Sequence, residues 1–162
     1  MIASSESGRF DLELTVNGKI VRKTVSTRLR LLDFLRDELH LTGAKEVCAE
    51  GECGACTILL DGKSVNSCLI LAVEAHGCDI VTIEGVGDRS EYAGLIDAFV
   101  EKHSVQCGYC IPGMVMSGVQ VLQDHPHPAR EDASQGLAGN TCRCTGYHKI
   151  LDAVVDAGEK RK

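Results

Sequence analysis

Eight of the nine cysteines fall into two quartets. Cys48, Cys53, Cys56 and Cys68 read C-x4-C-x2-C-x11-C, and Cys107, Cys110, Cys142 and Cys144 read C-x2-C followed much later by C-x-C. Thiolates are soft donors, and four of them converging on one site suit zinc or an iron–sulfur core. Three ligands within Cys48–Cys56 require a loop that folds around a small anionic centre. Gly51 and Gly54 allow the positive φ angles such a loop needs. Main-chain N–H groups of the loop can then point at sulfur and raise a reduction potential. Cys68 has to arrive from the opposite side of that loop.

The first spacing is that of plant-type [2Fe–2S] ligation. Zinc ribbons usually pair two C-x2–4-C knuckles, and only one half of the first quartet reads that way. The second quartet is less decisive taken alone, and zinc stays open there. C-x-C places two side chains on one side of an extended turn, which suits paired ligands. A secreted disulfide framework is disfavoured because Gly51, Gly54 and Gly108 are interleaved with the cysteines, which disulfides do not require. Met1 to Arg9 is short and polar, with no apolar core of a signal peptide. The longest apolar runs, such as Cys68 to Val73, are too short to span a bilayer. Free thiolates in a reducing cytoplasm are the expectation.

The formal charge of the chain is −6. An oxidised [2Fe–2S] unit with four thiolates adds roughly −2, so two of them take the protein to about −10. Nucleic-acid binding needs a basic face and is therefore not expected. Apolar residues make up 44% of the 162, enough for a packed core, but aromatics are only 4% and Trp is absent. Aliphatic residues and cysteines must build most of the interior.

The elements that position these cysteines divide in two. Phe10, Leu12, Leu14 and Val16 alternate with polar residues, Asn17-Gly18 supplies a two-residue turn, and Ile20 to Val25 returns as a second strand. Ser26 or Thr27 is placed to cap a helix running to about His40, with Leu31, Leu32, Leu35 and Leu39 as its stripe and Phe34 beside it. After the cysteine loop come a strand at Thr57 to Leu60, a turn at Asp61-Gly62, a return at Lys63 to Asn66 and a last strand at Ile80 to Ile83. Gly85 to Arg89 reads as the boundary, and beyond it the period changes from 2 to 3.6. Leu95, Ile96, Phe99 and Val100 mark a helix. Pro112 opens another that carries Val115, Val119 and Leu122. Residues 130–138 are weakly helical, and Ile150, Leu151, Val154 and Val155 mark a final helix. The expected class is α+β, with domains at 1–84 and 85–162.

Three segments, CAEGECGACT at 48–57, QCGYCIPGM at 106–114 and GNTCRCTGY at 139–147, resemble the signatures of the iron–sulfur component of the xanthine oxidase family of molybdenum hydroxylases. The resemblance runs in order over residues 10–155. It implies a β-grasp ferredoxin domain at 10–83 and an all-α four-helix bundle at 90–158, each with a [2Fe–2S] cluster. It further implies electrons passing from a molybdopterin centre to the helical-domain cluster, then to the ferredoxin-domain cluster and on to FAD. Molybdopterin and FAD then sit on partner subunits, a large one and a medium one. Gln106 is implied to hydrogen-bond the pterin edge, and Cys144, a ligand, to touch the pterin amine. Two positions depart from the family's usual residues, Val47 in place of Gly and Ile111 in place of Thr; neither is a ligand.

The alternatives are a stand-alone ferredoxin or redox sensor, and a zinc-stabilised interaction module. A simple ferredoxin would end near residue 85, so the helical half disfavours it. Cys78 lies outside both quartets and reads as a small apolar residue. Arg143 is either a surface arginine or a charge that raises a cluster potential. His125 and His127, separated by proline, read as loop, and Glu50 and Glu52 as solvated residues that could face a partner.

Overall fold

The computed structural model describes residues 8–160 apart from residue 88. The polar N-terminal stretch before Gly8, and Asp88 of the expected boundary, lie outside the described residues.

Alternation of apolar and polar residues builds the first hairpin as expected. β1 (Arg9–Val16) buries Leu12, Leu14 and Val16, and pairs antiparallel with β2 (Lys19–Ser26). Asn17 and Gly18 turn between them with φ of 50° and 78°. These positive values are those of the tight turn whose twist matches the strands. The second hairpin, β3 (Thr57–Leu60) and β4 (Lys63–Asn66), turns at Asp61 and Gly62 in the same way. β5 (Asp79–Val81) lies between the hairpins, parallel to β1 and antiparallel to β3. The five-stranded mixed sheet runs β2-β1-β5-β3-β4.

The helix expected from Ser26 or Thr27 starts later. Ser26 stays in β2, and the Thr27 hydroxyl donates to the Gly8 carbonyl. Arg30 is extended and bridges Leu71, so the first helical N–H, that of Leu31, donates to Ile70 O at 2.7 Å. A neighbouring strand-like segment thus satisfies the helix start, and no side-chain cap is used. α1 (Leu31–Asp33) passes into a π turn (Phe34–Glu38), closed by Leu39 N–H to Phe34 O. Leu31, Leu32, Phe34 and Leu35 are all buried against the sheet.

The strand expected at Ile80–Ile83 ends at Val81. The Thr82 N–H donates to Asn17 Oδ1 at 2.9 Å and Asn17 Nδ2 donates back to Thr82 Oγ1 at 3.0 Å. This pair turns the chain into α2 (Ile83–Val86), and the expected division at 84/85 falls inside that short helix. α3 (Ser90–Glu101), α4 (Ile111–Asp124), α5 (Arg130–Gly136) and α6 (His148–Glu159) form the helical bundle. Pro112 sits in the first turn of α4, where a missing N–H costs nothing.

Two apolar clusters result. One packs Leu12, Leu14, Leu31, Phe34, Ile58 and Ile80 between α1 and the sheet. The other packs Leu95, Phe99, Met114, Met116, Ile150 and Val154, and it reaches Leu59, Val81 and Val86. Because side chains alternate along a strand, Ile58 and Ile80 serve the first core while Leu59 and Val81 serve the second. The helical bundle therefore covers the other face of the sheet.

Between the halves, glycine packs closely on glycine. A Cβ on Gly113, in α4, would lie 2.1 Å from the Gly54 carbonyl oxygen. Gly113→Ala is expected to destabilise the protein by about 1–3 kcal/mol through overpacking. Gly94→Ala, on the exposed side of α3 with nothing within 4 Å, should leave the calorimetric midpoint unchanged or raise it. Equal midpoints for the two variants would contradict the packing account.

Candidate metal centres

The first quartet sits on the loop between the π turn and β3, and the second hairpin completes it. Ala49, Gly51 and Gly54 have φ of 55°, 81° and 66°, so the loop curls as the glycines suggested. The Cys48 sulfur accepts from the Glu50 N–H at 3.5 Å. That N–H, the Cys53 thiol and the N–H groups of Cys53 and Glu52 lower the Cys48 thiol to about 6. Burial pushes Cys56 up to about 12. The β3–β4 hairpin delivers Cys68 on a 3-10 turn, Ser67–Leu69, and the Ser67 hydroxyl donates to the Cys56 carbonyl at 2.7 Å. Asn66 Nδ2 ties the hairpin to the loop through Gly51 O at 2.8 Å.

The second quartet gathers at the foot of α4. Cys107 is exposed, Gly108 has a φ of 82°, and Cys110 stands immediately before the first residue of α4. The positive end of that 14-residue helix favours a negative centre there. Cys142 is buried and Cys144 exposed, both on the loop before α6. Burial pushes Cys110 up to about 12. At Cys142 burial acts upward too, but donors from Thr145 and from the Cys144 N–H outweigh it and hold the thiol below its ordinary value. A cavity of about 210 Å³ opens between these four residues and is also lined by Val47, Cys53, Ala55 and Tyr109.

All nine cysteines are free. Within each quartet the sulfurs come in pairs. Cys107 and Cys144 have sulfurs 3.4 Å apart. Cys110 with Cys142, Cys48 with Cys53, and Cys56 with Cys68 lie within side-chain hydrogen-bonding reach. Among the described residues no three His, Cys, Asp or Glu side chains converge as a site for one ion. A tetrahedral zinc needs four donors about one point, whereas a two-iron core takes two thiolates on each iron. The donor set and its pairing fit the latter.

The two sites are joined directly. The Thr141 N–H, next to Cys142, donates to the Cys53 carbonyl at 2.9 Å. Asn140, only 6% exposed, donates to the Gly54 carbonyl at 3.0 Å and accepts from the Ser117 hydroxyl at 2.6 Å. Lys45 Nζ lies 5.5 Å from the centre of the Tyr109 ring, and Tyr109 is half exposed between Cys107 and Cys110.

Other residues singled out in the sequence are placed as follows. Gln106 is exposed, five residues past the end of α3, and its side-chain amide has no partner among the described residues. Arg143, Glu50 and Glu52 are exposed. Val47 is 59% exposed beside the cavity, and Ile111 is the first residue of α4. Cys78 is half-buried at the start of β5, away from both quartets. His127 bonds the Gly158 carbonyl, fastening the loop to α6. Sequence reasoning gave no role to Asn140, Thr145 or Tyr147. All three lie inside the 139–147 segment, and contiguity with the ligands was the signal that could have marked them.

Comparison with known proteins agrees with this arrangement. The family described as "2Fe-2S iron-sulfur cluster binding domain" matches residues 14–77, and the "[2Fe-2S] binding domain" matches residues 82–155. Fold and site thus define a protein of two [2Fe–2S]-binding domains. The chain is 43% identical to the nicotine 6-hydroxylase small subunit of Paenarthrobacter nicotinovorans, over 97% of this chain and 94% of that one. It is 41% identical to the nicotinate dehydrogenase small FeS subunit of Eubacterium barkeri, over 94% and 97%. The crystal structure of quinoline 2-oxidoreductase from Pseudomonas putida 86 superposes with a TM-score of 0.87 at 41% identity, over 94% of this chain and 96% of that one. The chain belongs to the iron–sulfur subunits of the xanthine oxidase family of molybdenum hydroxylases.

The sulfur environments predict a reactivity order in the metal-free chain, because the thiolate is the nucleophile. Cys48, lowered to about 6, should be largely thiolate at neutral pH and alkylate first, its rate falling as pH drops below 6. Cys56, pushed up to about 12, should stay protected. Peptide mass spectrometry after brief iodoacetamide treatment reads the order; labelling of Cys56 ahead of Cys48 would contradict it.

Proposed function

We propose that this chain is the electron-transfer subunit of a multi-subunit molybdenum hydroxylase. In this reading it relays single electrons from a molybdopterin centre on a large partner subunit to FAD on a medium one. Cys48, Cys53, Cys56 and Cys68 hold one [2Fe–2S] cluster, and Cys107, Cys110, Cys142 and Cys144 hold the other. Each cluster, when bound, supplies a one-electron couple. The observation that carries the reading is the join between two sites of paired thiolates, the Thr141 N–H to Cys53 carbonyl bond. A stand-alone carrier needs one such site; a relay needs two held in fixed contact.

The chain's own residues orient the relay. Gln106, Cys107, Arg143 and Cys144 are exposed together with Val105 and Tyr109, which supports this face as the one that meets the molybdopterin. Gln106, with a free amide, and Cys144 are the pterin contacts in this reading. The first loop presents exposed Glu50 and Glu52 on the other domain, consistent with a separate exit toward the flavin partner. The division into residues 1–84 and 85–162 belongs to the same proposal. No helix among the described residues is long and apolar enough to cross a membrane. In this reading the complex works in the cytoplasm, where reducing conditions preserve free thiolates.

Metal analysis of the complex should find about four irons and four sulfides per copy of this chain, with two EPR signals on reduction. Cys53→Ala should remove the ferredoxin-domain signal and about half of the iron while the helical-domain signal survives. Substrate should then still reduce molybdenum while flavin reduction stalls; normal turnover would refute the electron order. Gln106→Leu should leave iron content near normal but weaken cofactor retention or slow cluster reduction. A lost buried hydrogen bond of that kind costs about 1–3 kcal/mol. Molybdenum content and rapid-mixing reduction of the clusters, both matching wild type, would remove Gln106 from the site.

A further inference from the structure

The loop that carries Cys142 and Cys144 closes on itself through a ring of hydrogen bonds. Thr145 Oγ1 lies 3.0 Å from the Cys142 sulfur. The Tyr147 N–H donates to the same Thr145 oxygen at 3.2 Å, and the Cys142 N–H donates to the Tyr147 hydroxyl at 2.9 Å. Tyr147 holds a φ of 69°, an uncommon backbone state for an aromatic residue, directly after Gly146 at 63°. Its ring packs against the helical core. The unusual turn therefore persists because packing and both hydrogen bonds hold it there.

The chemistry of the contact has one direction. A ligating thiolate carries no proton and can only accept. The Thr145 oxygen already accepts from the Tyr147 N–H, so its own proton is free to point at sulfur. Backbone N–H groups point at sulfur in both quartets, those of Glu50, Glu52 and Cys53 toward Cys48 and that of Tyr109 toward Cys107, and the side-chain oxygen of Asn66 lies 3.9 Å from Cys56; the Thr145 hydroxyl is a donor of a different kind. A hydrogen bond to a ligand sulfur stabilises the more negative, reduced state and raises the potential.

We propose that the Thr145 hydroxyl raises the reduction potential of the helical-domain cluster by donating to the Cys142 sulfur, with Tyr147 as the residue that positions it. The inference rests on the reading of the eight cysteines as two [2Fe–2S] sites. It makes one hydroxyl of this chain a determinant of one cluster's potential.

The test is an EPR-monitored redox titration of the purified complex as wild type, Thr145→Val and Thr145→Ser. Thr145→Val keeps the shape and loses the hydroxyl. Its helical-domain midpoint should move to lower potential while the other cluster's midpoint stays put. Thr145→Ser restores the hydroxyl and should return the midpoint toward wild type. An unmoved midpoint in Thr145→Val, or an equal fall in Thr145→Ser, overturns the proposal, the latter because the methyl group would then be responsible. If Thr145→Val fails to hold the cluster, Thr145→Ala is read in its place. Loss of the cluster in both overturns the proposal, since a tuning contact is not needed for assembly. A wild type lacking two EPR signals would instead sink the reading beneath it; two signals with an unmoved midpoint sink only the role of Thr145.

Discussion

The arrangement of both sites depends on one close approach of backbone to backbone. Gly113 at the start of α4 sits against the carbonyl of Gly54, at a separation that a single Cβ would abolish. That carbonyl faces three donors, the Thr57 N–H, the Thr57 hydroxyl and the Asn140 amide. Asn140 is itself held by Ser117 from α4. These groups are buried, where an unsatisfied polar atom is costly, so the contact has one geometry. The same stretch contains Cys53, whose carbonyl takes the Thr141 N–H. The apolar contact of α4 with the sheet brings the halves together, and the glycine contact fixes their register.

Each site holds thiols shifted in both directions, and not by burial alone: buried Cys142 is held low by its donors while exposed Cys144 is raised beside Cys107. Cys48 and Cys107 lie at the surface with backbone N–H groups directed at sulfur, and both are held below the ordinary thiol range. Cys56 and Cys110 lie inward, and burial raises both. A metal replaces the proton on each sulfur, so its binding at the inner positions releases protons that the metal-free chain holds tightly. Cys48, lowered to about 6, is largely thiolate at neutral pH before any metal arrives.

The sheet serves two interiors at once. Ile58 and Ile80 face α1, while their neighbours Leu59 and Val81 face the bundle. The two cores are distinct, but β3 and β5 form a wall of each. Val86, within the segment expected to be the domain boundary, is buried in the second core because Thr82, held by Asn17, turns the chain into α2.

Local chemistry made much of this legible in the residues alone. Both hairpins, with Asn17-Gly18 and Asp61-Gly62 at their turns, and the helices at 95–100, 112–122 and 150–155 follow from periodicity and turn residues that act over a few positions. The grouping of the cysteines into two quartets comes from ligand spacing, which the geometry of the core to be wrapped constrains, and the structure draws the cysteines of each quartet together. What lay beyond the sequence depends on groups far apart in the chain. The start of α1 at Leu31 rather than Ser26 is decided by Leu71 and Ile70. The end of β5 is decided by Asn17. The pairing of Cys107 with Cys144 and of Cys110 with Cys142, the Cys53–Thr141 join, and the Thr145 hydroxyl aimed at sulfur exist only once α4 and the 139–147 loop have packed against the sheet. Such contacts are energies between surfaces, and no local pattern of residues carries them.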